Sequence, residues 1–131
     1  MIQPPLPPTE CVTRFLQEAQ RLGIDVRWTN TDIINLDAAY HALPGAPGVI
    51  VLHDHPQRPG PKELCTLLAH EMVHVLQHWK GNLRATPALG WPINGAPQAR
   101  QLSSQQAEAY TAQSDPAKVL KAVSSLQPVN P

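Results

Sequence analysis

The sequence predicts an α+β domain in which one helix precedes three short strands and further helices follow them. Three observations predict this class. Apolar residues recur at helical spacing near the N-terminus, in the middle and near the C-terminus of the chain. Between residues 24 and 53 the apolar runs are short, as is typical of strands. The 15 prolines cluster at the ends and between these segments, where they mark boundaries.

The first part of the chain contains the predicted N-terminal helix and the first strand. Thr9 suits the N-cap of a helix over residues 10–22, and Gly23 suits the position after its last turn. Apolar and polar residues alternate over 24–28, which predicts a strand. Residues 29–32, with the sequence TNTD, are typical of a turn. We therefore expect a helix that leads directly into a sheet.

Two more strands are predicted before the middle of the chain. Residues 36–41 favour a second strand, and the residues 44–48, which are rich in proline and glycine, predict a loop. The run VIVLH at 49–53 is the strongest strand signal in the sequence. Together with the first strand, these segments predict a three-stranded sheet.

A long central helix is predicted after the sheet. Residues 63–79, with the sequence ELCTLLAHEMVHVLQHW, carry apolar side chains at helical spacing. Pro61 suits the first turn of this helix, and Gly81 suits the position after its end. The residues in the middle of the segment are mostly uncharged. A largely buried helix is therefore expected.

Two shorter helices are predicted in the last third of the chain. A polar helix is expected over residues 98–114 and a final helix over 117–126. The single domain is accordingly expected to span residues 9–126. The ends, 1–8 and 127–131, contain prolines and are expected to be flexible.

Length and composition limit the function classes. The 131 residues suit one domain, and no apolar run is long enough to span a bilayer. The formal net charge is zero and the basic residues are scattered, which argues against nucleic acid and against a membrane surface as partners. The N-terminus shows no signal-peptide pattern. Cys11 and Cys65 fit reduced thiols in a cytoplasmic protein, with a disulfide between them as the alternative.

The central helix contains His70-Glu71-Met72-Val73-His74, an H-E-x-x-H pattern. Residues four apart lie on one face of a helix, so both imidazoles can bind a single tetrahedral Zn²⁺ ion. Glu71 can then act on a water that the metal activates, without being a ligand itself. An exposed histidine pair on an amphipathic helix is the alternative. The uncharged neighbours argue against it, because a buried, charged Glu71 would then have no partner.

A catalytic zinc site usually has three protein ligands, so a third is expected outside the motif. His78 is excluded because it lies about 12 Å along the helix from the first motif histidine. Only two carboxylates follow it in the sequence. Glu108 is favoured, because its alanine neighbours let two helices approach closely, whereas Asp115 suits the N-cap of the last helix. His53 and His55, after the third strand, are rival ligands or cleft-lining residues.

With these residues, the chain resembles the zincin metallopeptidases of the gluzincin type, in which a glutamate on a later helix follows H-E-x-x-H. It is similar in size and element order to the minigluzincins and the ImmA/IrrE-type peptidases. The resemblance implies a small zincin-like domain, one zinc ion bound by His70, His74 and Glu108, and Glu71 as general base. It also implies an edge strand, here residues 49–53, along the cleft. The longer gluzincins carry N-E-x-x-S-D around the third ligand, and this chain does not.

The leading hypothesis is therefore a zinc-dependent peptidase that acts on a peptide or protein substrate. Its rivals are a non-catalytic zinc-binding structural or regulatory module, and a latent peptidase with a chain end over the metal. A donor for the developing oxyanion is expected among His53, His55, Tyr40 and Tyr110. The loop around Trp91 is a candidate cover for the cleft.

Overall fold

The structure is a computed structural model that describes residues 5–30, 37–54, 58–94 and 101–129. These residues form four helices and a three-stranded mixed sheet, with the N-terminal helix first, which confirms the α+β class. In chain order the elements are α1 (Pro8–Leu22), β1 (Asp25–Thr29), β2 (Ala38–Leu43), β3 (Ala46–His53), α2 (Pro61–Lys80), α3 (Ser104–Ala112) and α4 (Pro116–Ser124).

Strand β3 occupies the centre of the sheet. It runs parallel to β1 on one side and antiparallel to β2 on the other. Its burial alternates along the strand, and Ile50 and Leu52 are at most 2% exposed. The prediction that residues 49–53 form the edge strand along the cleft is wrong, because this most apolar strand pairs on both sides. The outer strand that packs against α2 is β2.

The hydrophobic core surrounds α2, which packs against α1, β2, α3 and α4. Leu68, Met72, Val73 and Val75 of this helix are fully buried, as is Phe15 of α1. Burying a side chain of this kind contributes roughly 1.5–3 kcal/mol. Because α2 is held from several sides, the directions of its polar side chains are fixed as well.

A disulfide joins Cys11 of α1 to Cys65 near the start of α2. The two Cα atoms are 5.7 Å apart, which is in the usual range for a disulfide. The prediction of reduced thiols is therefore wrong. The reason is tertiary: the packing of α1 on α2 brings together two cysteines that are 54 residues apart in the sequence.

Several helix boundaries differ from those predicted. Helix α1 begins at Pro8 instead of residue 10, because proline suits the first helical turn, and Gly23 ends it with a left-handed φ of 78°. Helix α3 begins later than predicted, after Ser103, whose side chain accepts a hydrogen bond from the N–H group of Gln106. Asp115 caps α4 as predicted and accepts from the N–H group of Lys118.

Some predicted features lie outside the described residues. They are the outer parts of the flexible ends (1–4 and 130–131), the second half of the turn (31–32), the start of the polar helix (98–100) and His55. Among the helices that are described, none combines the length and the apolar character needed to cross a membrane.

Gly48, in β3, lies where no side chain fits. A Cβ atom there would overlap the carbonyl oxygen of His41 and lie 2.6 Å from the hydroxyl oxygen of Tyr40. We expect Gly48→Ala to lower the free energy of unfolding by about 3 kcal/mol, as overpacking does, measured by urea denaturation. Gly60→Ala is the control, because the space around Gly60 is open, and we expect a loss below about 1 kcal/mol. Equal unfolding midpoints for the two variants would contradict the prediction.

Candidate metal centre

His70, Glu71 and His74 face one cavity of about 340 Å³, which also has walls from β2 and α3. The two imidazole centroids lie 5.1 Å apart. His70 is 9% exposed and Glu71 is 5% exposed, so the motif lies at the floor of the cavity. The structure thus brings together the three motif residues, as their spacing on one helix predicts.

Gln106 of α3 occupies the position beside the two histidines. Its Oε1 atom lies 3.1 Å from Nε2 of His70 and 3.1 Å from Nε2 of His74. Gln106 was not among the predicted ligands, because histidine and carboxylate side chains are the usual third ligands of a zinc site with two histidines. A signal was present: Gln106, Tyr110 and Gln113 recur at helical spacing, and all three line the cavity.

Glu108 does not face the two histidines. Its carboxylate accepts hydrogen bonds from the backbone N–H groups of residues 89–91 at 2.6–2.8 Å and from Gln77 Nε2 at 3.0 Å. Among the described residues, no three His, Cys, Asp or Glu side chains come together in a way that could hold a metal ion. The predicted third ligand is therefore not assembled with the motif, because its oxygens are committed to a loop and to α2.

The environment of Glu108 favours its ionised form. Burial raises the pKa of this carboxyl group, but hydrogen bonds from the backbone of residues 89–91 and from Gln77 outweigh burial and lower the pKa below its usual value. The side chain is only 1% exposed. Glu108 is thus a buried anion that is stabilised by four hydrogen-bond donors among the described residues.

The atoms around the two histidines fit a zinc ion. Nδ1 of His70 lies 2.8 Å from Gln113 Oε1, and Nδ1 of His74 lies 2.8 Å from Gln77 Oε1. An amide oxygen only accepts, and each ring faces one at both nitrogens, so a neutral ring that carries its hydrogen on Nδ1 leaves the Nε2 electron pair available to a metal ion. With the hydrogens so placed, the Nε2 electron pairs of both rings face Gln106 Oε1, which lies 3.1 Å from each Nε2 atom. Atoms bound tetrahedrally to one zinc ion at about 2.0–2.1 Å lie about 3.3 Å apart, which matches this spacing.

Burial also changes the pKa values of the motif side chains. It lowers the pKa of His70, which favours the neutral ring that a metal ligand needs. It raises the pKa of Glu71 to about 7, against a smaller opposing effect of the backbone N–H of Tyr40. A carboxylate with a pKa near neutrality both accepts and releases a proton readily, as a general base requires.

The hydroxyl group of Tyr40 is engaged away from the motif. His78 Nε2 lies 3.0 Å from the carbonyl oxygen of Leu43 and 3.1 Å from that of Leu83, so it carries the ring hydrogen. Tyr40 therefore donates to His78 Nδ1 at 2.7 Å and accepts from the N–H of Gly48 at 2.9 Å. His78 is buried, with 2% of its surface exposed. Through its hydrogen bonds to Tyr40 and Leu43, His78 connects β2 to α2.

The remaining predicted residues have different positions. Tyr110 lines the cavity, with its ring centroid 4.5 Å from that of His70. His53 lines a neighbouring cavity of about 200 Å³. Trp91 lies beneath Lys118, whose Nζ is 4.5 Å from the ring centroid. The described part of its loop is fixed by Glu108 and does not line the motif cavity, so it does not cover the site.

Comparison with known proteins gives no relative. No protein-family model matches the chain, and neither the curated proteins nor the solved structures give a match. The resemblance to zincin peptidases therefore depends on the motif and on the residues around it.

Proposed function

We propose that the protein is a zinc-dependent peptidase in which His70, His74 and Gln106 hold the metal and Glu71 is the general base. Zinc in such a site supplies Lewis acidity, which acidifies water and polarises a carbonyl group. One observation carries the proposal: the Nε2 atoms of both histidines converge at 3.1 Å on Gln106 Oε1, in the cavity that Glu71 also lines.

Glu71 would move the proton during hydrolysis. Its carboxylate accepts a proton from the attacking water and then gives it to the leaving amine. In the metal-free chain, burial raises the pKa of this carboxyl group to about 7. The burial that raises the pKa also keeps bulk water away from the carboxylate.

Strand β2 offers a place for an extended substrate. It is the outer strand of the sheet, and Ala38, Ala39 and Tyr40 line the same cavity as the motif. A peptide that runs beside β2 could form backbone hydrogen bonds with it, which would bind many sequences alike. Tyr110, which lines the cavity beside His70, is the best placed of the proposed oxyanion donors that the structure describes. These features support a peptide or protein substrate.

A non-catalytic zinc module is the second candidate function. The observation that favours it is the third donor, an uncharged amide oxygen, which is a weaker zinc ligand than a carboxylate. Such a module would bind zinc but would not hydrolyse peptides.

The disulfide bears on the compartment in which the protein works. Disulfides persist in oxidising compartments and are rare in the cytosol. The cytoplasmic location expected from reduced thiols loses its support once Cys11 and Cys65 are bonded. We therefore favour an oxidising compartment.

Metal analysis with an activity assay tests the proposed function. The purified chain is expected to hold about one zinc ion, and a chelator is expected to abolish hydrolysis of an unstructured protein until zinc is restored. His74→Ala should lose the metal. His41→Ala is the matched control, because His41 is exposed on β2 and outside the cavity walls, and it should keep both metal and activity. Zinc binding without hydrolysis would favour the structural module, and a metal-free chain would contradict both functions.

A further inference from the structure

Gln77 connects Glu108 to His74 by a chain of hydrogen bonds. Its Nε2 atom donates to Glu108 Oε1 at 3.0 Å and to the carbonyl oxygen of Gln105 at 3.0 Å. Its Oε1 atom lies 2.8 Å from Nδ1 of His74. Gln77 is fully buried and Glu108 is 1% exposed, so the contact between them is shielded from water.

This chain has a single consistent hydrogen-bond direction. The amide nitrogen of Gln77 faces two groups that only accept, a carboxylate and a carbonyl, so both of its hydrogens are used there. Its oxygen must then face His74, and Nδ1 of that ring must carry the hydrogen. The ring electron pair lies on Nε2, the atom that faces Gln106.

The carboxylate of Glu108 prevents the amide from turning around. Each of its oxygens accepts from a backbone N–H group of residues 89–91, which holds the carboxylate in place. A reversed Gln77 amide would set its oxygen against a carboxylate oxygen and against the carbonyl of Gln105, so that acceptors would face acceptors. The carboxylate therefore selects one orientation of the amide.

We propose that Glu108 is a positioning residue of the metal site, which acts through Gln77 to hold His74 in the Nδ1–H tautomer. Ligand histidines usually donate their second ring N–H to a carbonyl or carboxylate, which orients the ring and raises its basicity. Here an amide oxygen receives that hydrogen, and a carboxylate one step further away orients the amide. The inference rests on the proposed zinc site, but it does not depend on peptidase activity.

The tautomer of His74 tests the proposal directly in the metal-free wild-type chain. Two-bond ¹⁵N–¹H correlation spectra at alkaline pH, where the rings are neutral, should place the hydrogen of His74 on Nδ1. In Gln77→Leu and Glu108→Gln the ring should become a mixture of both tautomers. Gln105→Ala is the control, since it keeps the carbonyl group that Gln77 uses, and it should match the wild type. A wild-type hydrogen on Nε2 would overturn the proposal.

Zinc affinity, measured by competition with a chromophoric chelator, gives the second readout. Gln77→Leu and Glu108→Gln should each bind zinc about 10–100-fold more weakly, and Gln105→Ala should stay within about twofold of wild type. If Glu108 only supports the loop, Glu108→Gln will lower the unfolding midpoint and leave tautomer and affinity unchanged, which would refute the positioning role. A wild-type chain that binds no zinc would contradict the proposed function. The tautomer measurement would still decide whether Glu108 positions His74.

Discussion

Glu71→Gln is expected to lower the rate of peptide hydrolysis at least about a hundredfold while the zinc content stays at the wild-type level. The amide is nearly the same size as the carboxyl group but cannot accept the proton of the attacking water. The metal should remain, because Glu71 is not among the atoms that converge on Gln106. Initial rates on an unstructured protein and metal analysis of the same preparation measure the two effects together.

Glu63→Gln is the matched control, since Glu63 is an exposed carboxylate in the first turn of the same helix. It should retain wild-type rates. If Glu71→Gln kept full activity, Glu71 would not be the base, and if it lost its zinc, the variant would not report on proton transfer.

The stability of the metal-free chain provides an independent check on Glu71. Its pKa is raised from 4.5 to about 7 by burial, so the unfolded chain releases this proton at a lower pH than the folded chain. The contribution of Glu71 to the free energy of unfolding should therefore fall as the pH rises through that interval. Urea denaturation at several pH values should show this fall in the wild type but not in Glu71→Gln. Parallel pH profiles of stability for the wild type and this variant would contradict the raised pKa.

Loss of the disulfide is expected to lower the free energy of unfolding by about 4 kcal/mol. The bond closes a loop between residues 54 positions apart, and the chain-entropy relation gives about this value for a loop of that length. Replacing both Cys11 and Cys65 by Ala should reproduce the effect of reducing agent on the wild type. Urea denaturation with and without reductant measures it.

The reductant should leave the unfolding midpoint of the double alanine variant unchanged. This variant therefore controls for other effects of the reductant. Mass spectrometry after alkylation should find no free thiol in the oxidised wild-type chain, since both cysteines are bonded. Two alkylated cysteines in freshly purified protein, or an unfolding midpoint insensitive to reduction, would contradict the prediction.

The order and type of the elements were predictable because each depends on local patterns. The α2 helix follows from its apolar spacing and its flanking Pro61 and Gly81, and β3 follows from a continuous apolar run. The place of β3 in the sheet was not predictable in the same way. A run of four apolar residues indicates that a strand is buried, but which strands pair with it is set by long-range contacts.

The candidate site likewise has one part that a local pattern predicts and another that it does not. The convergence of His70, Glu71 and His74 on one cavity follows from the pitch of a single helix. Which of Gln106 and Glu108 faces the histidines does not follow from that pitch. Residues two apart on a helix are rotated by about 200° around its axis, so only one of them can point at the histidines.

The sequence by itself determined the element order and the histidine pair of this protein, because both are fixed by the geometry of one segment. The tertiary structure decided which side of α3 faces α2, and thereby placed Gln106 beside the motif and Glu108 on the loop. It also decided that Cys11 meets Cys65. The rotation of one helix against another depends on the packing of the whole core, and no local pattern encodes it.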